Sequence, residues 1–235
     1  MRYIISLIAI SIHLFALDYY AKVEPISQYN IKSSVSGKVV FANKNAESKF
    51  IKDQLIVKLD DKINKLELRQ TQNKIKNIKD ILSIQKQTLK SFNKVSSKSK
   101  FDKDNQKIVI LNTKVTLNDL QTKAQSLKDI ISNKNIKIKN LYIDEVFITK
   151  DDFVNPGTLL LRAYDLNQAK LVIYVNYEDM IDIKNKTILI DDKKIDVKIN
   201  KIFKTTDAKH LSSYKVELVL PKVEQFSKLV KVSIK

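Results

Sequence analysis

Two rhythms of apolar residues succeed one another along this chain of 235 residues. Between Val35 and Leu59 the segments "VSGKVVFAN" and "FIKDQLIVKLD", parted by the polar "KNAESK", read as strands. From about Asp61 to Asn135 there is no proline or glycine, and apolar positions recur at spacings of three and four. Leu68, Thr71, Ile75, Ile78, Leu82, Gln85, Leu89 and Phe92 keep that alternation strictly. So do Ile110, Thr113, Leu117, Leu120, Ala124, Leu127 and Ile131. This is the heptad seam of a coiled coil. Between the runs, "NKVSSKSK" lacks the period, so the segment predicts two helices joined by a short turn as an antiparallel hairpin. Arms of about 35 residues reach roughly 50 Å. Residues 61–135 hold 17 basic and 7 acidic side chains, and the faces away from the seam are expected to be almost wholly polar. A narrow apolar stripe on a charged rod suits a projecting hairpin better than a buried bundle.

Strand signals return after Asn135. "IKIKNLYIDEVFI", "DDFVNPGTLLLRA" and "AKLVIYVNY" are rich in branched and aromatic residues, with turn residues between them. "KTILID", "KIDVKINKIF", "SYKVELVL" and "KLVKVSI" then alternate apolar and polar, as half-buried strands of a small barrel or sandwich do.

The two glycines, Gly37 and Gly157, each border a strand-like run. When "FIKDQLIVKL" (50–59) is laid over "VNPGTLLLRA" (154–163), Asp53 falls on Gly157, and Leu55, Ile56 and Val57 fall on Leu159, Leu160 and Leu161. "VSGKVVF" laid over "IDEVFI" sets Gly37 on Glu145. The two stretches read as versions of one β-unit pushed apart by the hairpin. Gly37, Asp53 and Gly157 are expected at turns, where glycine permits positive φ and aspartate tolerates it. At Glu145 a turn of another type is expected. Neither half can bury its apolar face alone, so both should dock into one domain, with Leu55, Val57, Leu159 and Leu161 near the shared core.

Composition changes the picture in three ways. The formal charge is +17, but only Arg2, Arg69 and Arg162 are arginines. Arginine forks are the usual readers of bases and phosphates, so the lysine excess weighs against nucleic-acid binding. Residues 1–16, "MRYIISLIAISIHLFA", carry a basic second residue and an apolar run from Ile4 to Ala16, too short for a span of about 20 residues but suited to a secretory signal. Cleavage after Ala16 is expected, retention as an anchor being the alternative. Without cysteine, the chain has no disulfide, no thiolate metal site and no lipid attachment at an N-terminal cysteine.

Candidate chemistry is sparse. His13 lies in the signal, and His210 in "TTDAKHLSSY" reads as a solvated loop residue. Asp191 and Asp192 read as a hairpin turn, and Asp60 and Asp61 as caps of the first helix. No phosphate loop, dinucleotide fingerprint, nucleophile elbow or metal spacing occurs, so an enzyme is not expected and no cofactor is called for.

The order half-unit, hairpin, half-unit, small barrel resembles the periplasmic adaptor or membrane fusion proteins (HlyD-like) of Gram-negative tripartite efflux and secretion systems. "SSVSGKVV" and "IKDQLIVKLD" carry the resemblance for the first half of a lipoyl-like domain. "LYIDEVF" and "FVNPGTLLLRAYDLNQAKLVIYVNYEDM" carry it for the second half and the start of the barrel. It implies an α+β chain: a split lipoyl-like (biotinyl/lipoyl) β-domain interrupted by an antiparallel coiled-coil α-hairpin, then a small β-barrel. The expected divisions are a signal peptide (1–16), an N-terminal strand and first lipoyl-like half (17–60), the hairpin (61–135), the second half (136–166) and the barrel (167–235). The lipoyl-like domain would carry no lipoate or biotin, because the hairpin replaces the modified turn. Several glycines usual in the half-motifs are missing, and only "DYYAKVEPISQYNIK" could contribute to the membrane-proximal domain of many members.

The resemblance also implies partners. An adaptor links an inner-membrane transporter, of RND or ABC type, to an outer-membrane channel of TolC type, in the periplasm at the inner membrane and as a homo-oligomer without nucleic acid. The alternative from a different class is an exported basic coiled-coil protein that binds nucleic acid or anionic surfaces. In the family the hairpin tip meets the channel through an arginine and a leucine before the turn and a serine after them. "TLKSFNKVSSKSKFD" (88–102) matches with Leu89 and Ser97, while Thr88 stands where the arginine is usual. Phe101 and Asp102 resemble the aromatic–aspartate pair that opens the second helix, and Phe92 completes the expected partner-binding set. The residues alone also allow Leu89 and Phe92 to be seam positions and Ser97 a helix N-cap.

Overall fold

The computed structural model describes residues 17–206 and 209–235, so the expected signal segment lies outside the described residues. The strands are β1 (Leu17–Lys22), β2 (Glu24–Lys32), β3 (Gly37–Ala42), β4 (Lys49–Leu59), β5 (Asn135–Val146), β6 (Phe153–Val154), β7 (Leu159–Asn176), β8 (Ile188–Ile190), β9 (Lys198–Ile202), β10 (Ser213–Leu220) and β11 (Leu229–Ile234). The helices are α1 (Lys62–Lys94), α2 (Lys100–Asn133) and the short α3 (Tyr177–Met180). Two compact units result. Residues 30–163 form the hairpin unit; residues 17–29 and 164–235, as far as described, form the terminal unit.

In the hairpin unit, β6, β3, β4 and β5 lie side by side in that order, with antiparallel ladders. One core gathers Val39, Ile56, Val57 and Leu59 from before the hairpin with Ile143, Val146, Leu160 and Leu161 from after it. Both half-units therefore pack on each other. Leu55 and Leu159 are half-buried at its margin.

The overlay of the halves fails at the turns. Asp53 lies inside β4, paired with Lys139, and Glu145 lies inside β5, so neither stands in a turn. Pairing of Asp53, Gln54 and Leu55 with Lys139, Ile138 and Lys137 holds residue 53 extended, and no turn can form there. Gly37 opens β3, and positive φ among the described glycines is confined to Gly157, at +89°. A Cβ at Gly37 would stand 3.3 Å from the Leu59 Cβ, so close packing is what this position requires.

Helices α1 and α2 leave from β4 and return to β5, whose adjoining ends pair at Lys58 and Asn135. The seam faces inward as its spacing dictates: Thr71, Leu82, Ile110, Ala124 and Leu127 are buried, and the remaining seam positions half-buried. Across it the Gln106 amide donates to the Gln85 carbonyl at 3.1 Å, a polar contact that favours one register. The outer faces are less polar than expected. Ile63, Ile84, Ile108, Leu111 and Val115 all stay exposed off the seam.

The N-terminal strand is where the expected divisions change most. Rather than joining the first lipoyl-like half, β1 pairs along its whole length with β11 in the terminal unit, Leu17 opposite Ile234. That unit holds one sheet in the order β1-β11-β8 and the ladder β7-β10-β9 around a shared core, including Ala21, Leu171, Ile173, Val216, Leu218 and Val232. These strands do not close into a barrel among the described residues: closure needs a continuous ring of ladders, and β8 ends after three residues in the Asp191–Asp192 turn. Both aspartates have positive φ, 48° and 62°, as their turn reading required. The Asp191 carboxylate accepts from the Lys231 N–H at 2.9 Å and from the Lys228 ammonium, and these bonds hold its carboxyl below the usual range.

Candidate functional site

The hairpin tip is built by the last turn of α1, five linking residues and the first turn of α2. Phe92 is half-buried, and the Lys98 ammonium lies 4.6 Å from its ring centroid. The chain then reverses through weak backbone bonds, Val95 N–H to the Phe92 carbonyl and Lys98 N–H to the Val95 carbonyl, both at 3.4 Å.

The N-cap of helix α2 is Ser99, not Ser97. The Asp102 N–H donates to Ser99 Oγ at 3.1 Å while the Ser99 N–H donates to the Asp102 carboxylate at 3.3 Å, a complete capping box. Three serines, 96, 97 and 99, compete for the cap in the sequence; Ser99 is the one followed by an acid three residues on, and that spacing was the signal to read. Released from capping, Ser97 sits exposed at the turn. Asp102 spends its carboxylate inside the helix. Leu89 is a half-buried seam residue, whereas Phe101 is 73% exposed and Val95 46%. The structure thus brings Ser97, Val95 and Phe101 to the outer surface of the tip and turns Leu89 and Phe92 partly inward.

The surface around them is cationic. Residues 86–107 contain seven lysines against Asp102 and Asp104. A hydrogen bond from Lys107 and that lysine's charge hold the Asp104 carboxyl below its usual range. With both carboxylates engaged locally, the tip offers ammonium groups, a hydroxyl and two apolar side chains. That set can dock on a protein surface.

Elsewhere the sequence candidates have structural duties. The Lys62 N–H donates to the Asp60 carboxylate at 3.1 Å, so Asp60 makes the bond expected of a helix cap. Asp61 occupies the N-cap without a side-chain cap bond and instead holds Lys65 at 2.8 Å. Burial would raise its carboxyl, but the hydrogen bond and charge of Lys65 outweigh burial and keep it low. His210 is not free in solvent: its ring stacks on Tyr174, centroids 3.5 Å apart. No group of three or more His, Cys, Asp or Glu side chains positioned for a metal occurs among the described residues. No helix among them is long and apolar enough to cross a membrane.

No family model matches the sequence, and no curated protein matches it either. Solved structures do match in fold. MacA from Actinobacillus actinomycetemcomitans superposes with a TM-score of 0.72 at 13% identity, over 94% of this chain and 78% of that one. A MacA–MexA chimera containing the Pseudomonas aeruginosa MexA α-hairpin domain gives 0.67 at 14% identity, over 94% and 80%. The membrane fusion protein Spr0693 from Streptococcus pneumoniae gives 0.68 at 8% identity, over 93% and 98%. The chain has the fold of the membrane fusion, or periplasmic adaptor, proteins.

Proposed function

We propose that this protein is the adaptor subunit of a tripartite efflux or secretion system, joining an inner-membrane transporter of RND or ABC type to an outer-membrane channel of TolC type. One arrangement carries the reading: seam-paired helices of 33 and 34 residues inserted between the adjacent strands β4 and β5 of one β-domain. Insertion into a ladder gives the helices a rigid base, and an α1 of that length reaches about 50 Å. A reach of that size suits bridging. The fold shared with membrane fusion proteins supports the same role.

In this reading the β-domain is of the lipoyl-like kind, with the hairpin in place of a modified turn, so it needs no cofactor. The terminal unit is the counterpart of the family's barrel. The mechanism is mechanical rather than catalytic. Hairpins from several copies stand side by side, which would cover the exposed Ile84, Ile108, Leu111 and Val115, and the tips meet the helical ends of the channel. The working place is the periplasm at the inner membrane, reached through the apolar segment 1–16.

Mild crosslinking in the native membrane, followed by purification of this chain, tests the role. Recovery of a transporter and an outer-membrane channel in the same crosslinked species is expected. A cytoplasmic pool retaining Met1, with nucleic-acid binding that falls steeply with salt, would overturn the reading.

A further inference from the structure

The turn between β8 and β9 starts a hairpin that stops after one pair. Asp191 and Asp192 both have positive φ, the backbone of a two-residue turn whose twist suits paired strands. Next to it, Ile190 and Lys193 exchange backbone bonds at 2.9 and 3.0 Å. The sequence carries a strand pattern onward, with Ile195, Val197 and Ile199 alternating with Lys194, Asp196 and Lys198. Yet β9 begins only at Lys198, and among the described residues no ladder joins it to β8. A cleft of about 710 Å³ lies where that ladder would run, with Thr187 and Ile188 on one lip and Ile195, Val197 and Ile199 on the other.

The two lips match in register. Thr187 exchanges bonds with Lys235 at 2.7 and 3.0 Å, and the Asp191 N–H donates to the Lys231 carbonyl at 2.9 Å. Bonding residues alternate along an antiparallel ladder, so Ile188 and Ile190 turn their backbone groups away from β11. Ile190 spends its groups on Lys193, while those of Ile188 face the cleft, where the same register brings Ile195 opposite. Across the cleft β9 pairs with β10 along its far edge, which leaves its near edge toward β8. The side chains agree. Ile188 and Ile190 belong to the core, Val197 and Ile199 pack against it, and Ile195, on the same face by parity, is 39% exposed. Lys184 and Lys186 line one lip and Lys194 and Lys198 the other, with Asp196 as the acid among the lining residues. Like charges across a narrow gap repel, and salt screens them. We propose that residues 194–197 are a strap that zips onto β8, pairing Ile188 with Ile195, and that the facing lysines hold it open at low ionic strength. Closure carries the sheet unbroken from β11 through β8 and β9 to β10, and it covers two strand edges that would otherwise accept a foreign strand. The strap needs no partner protein, so it stands or falls separately from the adaptor reading.

Amide hydrogen exchange on the unaltered chain provides the test. In the closed register the Ile195 N–H donates to Ile188, whereas the Lys194 N–H points away from β8. Protection at Ile195 should exceed that at Lys194 by about tenfold or more, and 0.5 M salt should raise it by roughly a further threefold. The variant Lys194→Gln/Lys198→Gln should reach that higher protection without salt. Because the chain has no cysteine, introduced pairs give a second reading. Thr187→Cys/Asp196→Cys puts two thiols opposite each other in this register, while Thr187→Cys/Val197→Cys puts them on opposite faces. The first pair should close its intramolecular disulfide about tenfold faster than the second, and faster still in high salt. Equal protection at residues 194 and 195 in low and high salt overturns the strap, and so does equal oxidation of the two pairs. Protection at Ile195 that ignores both salt and the glutamine variant overturns the role given to the lysines.

Discussion

The Lys134 ammonium lies 2.7 Å from the carbonyl oxygen of Asp60, 74 residues earlier in the chain. The same ammonium donates to the Asn64 side chain at 2.7 Å, and the Lys134 carbonyl accepts from the Leu59 N–H at 2.8 Å. One residue at the C-terminal end of α2 thus ties the entrance of the hairpin to its exit. Replacing it by methionine keeps the stem but removes both side-chain bonds from a part-buried site. Lys134→Met should lower stability by about 1–3 kcal/mol in urea unfolding, with faster amide exchange at residues 60–64. Unchanged stability and exchange would show that the β4–β5 ladder alone holds the base together.

The two glycines should respond to substitution in different ways. At Gly157 the backbone is left-handed and nothing lies within 4 Å of an added Cβ, so strain alone decides. Gly157→Asn should cost less than Gly157→Val, the latter by about 1–3 kcal/mol. Gly37 has no positive φ, but its Cβ would press on Leu59. There side-chain size decides, and Gly37→Ala should be milder than Gly37→Asn. Urea midpoints of the four variants check this reversal of order.

At the tip, Ser97 and Phe101 are the clean probes because both are exposed, whereas Leu89→Asp would also disturb the seam. Ser97→Asp and Phe101→Asp should each abolish transport without altering helicity or export. Ser99→Ala removes the capping box instead and should cost about 0.5–2 kcal/mol of stability with transport retained. Transport assays and far-UV circular dichroism on the same strains separate the two effects. Survival of transport in the Ser97 and Phe101 variants would move the docking site elsewhere.

Tyr19 supplies an alkaline signature for the terminal unit. Burial first, then the charge and hydrogen bond of Asp179 at 3.2 Å, push its phenol up to about 12. The unfolded chain ionises near the ordinary value of about 10, so the stabilisation is present in full below that pH and is lost as pH rises toward the folded value. Thermal melts between about pH 9 and 12 should show a falling melting temperature. Tyr19→Phe should flatten the decline, and an unchanged slope would show that other groups cause it.

The sequence by itself determined the hairpin, because a heptad seam is a local property: the spacing that puts Leu68, Thr71 and Ile75 on one face exists before any partner is chosen. The turn at Asp191–Asp192 and the left-handed Gly157 were legible for the same reason, since backbone preference is set by the residue itself. Only the tertiary structure decided matters that depend on residues distant in the chain. Pairing with Lys139 made Asp53 a strand residue, contact with Leu59 gave Gly37 its purpose, and the partnership with β11 drew β1 into the terminal unit. The tip was divided by both kinds of cause. Its capping box could be read from the spacing of Ser99 and Asp102, yet the outward or inward facing of Phe101, Leu89 and Phe92 was settled only when the second helix packed against the first. Strand partners and burial are choices among many chemically similar alternatives, and closing distant loops around a common core is what selects one.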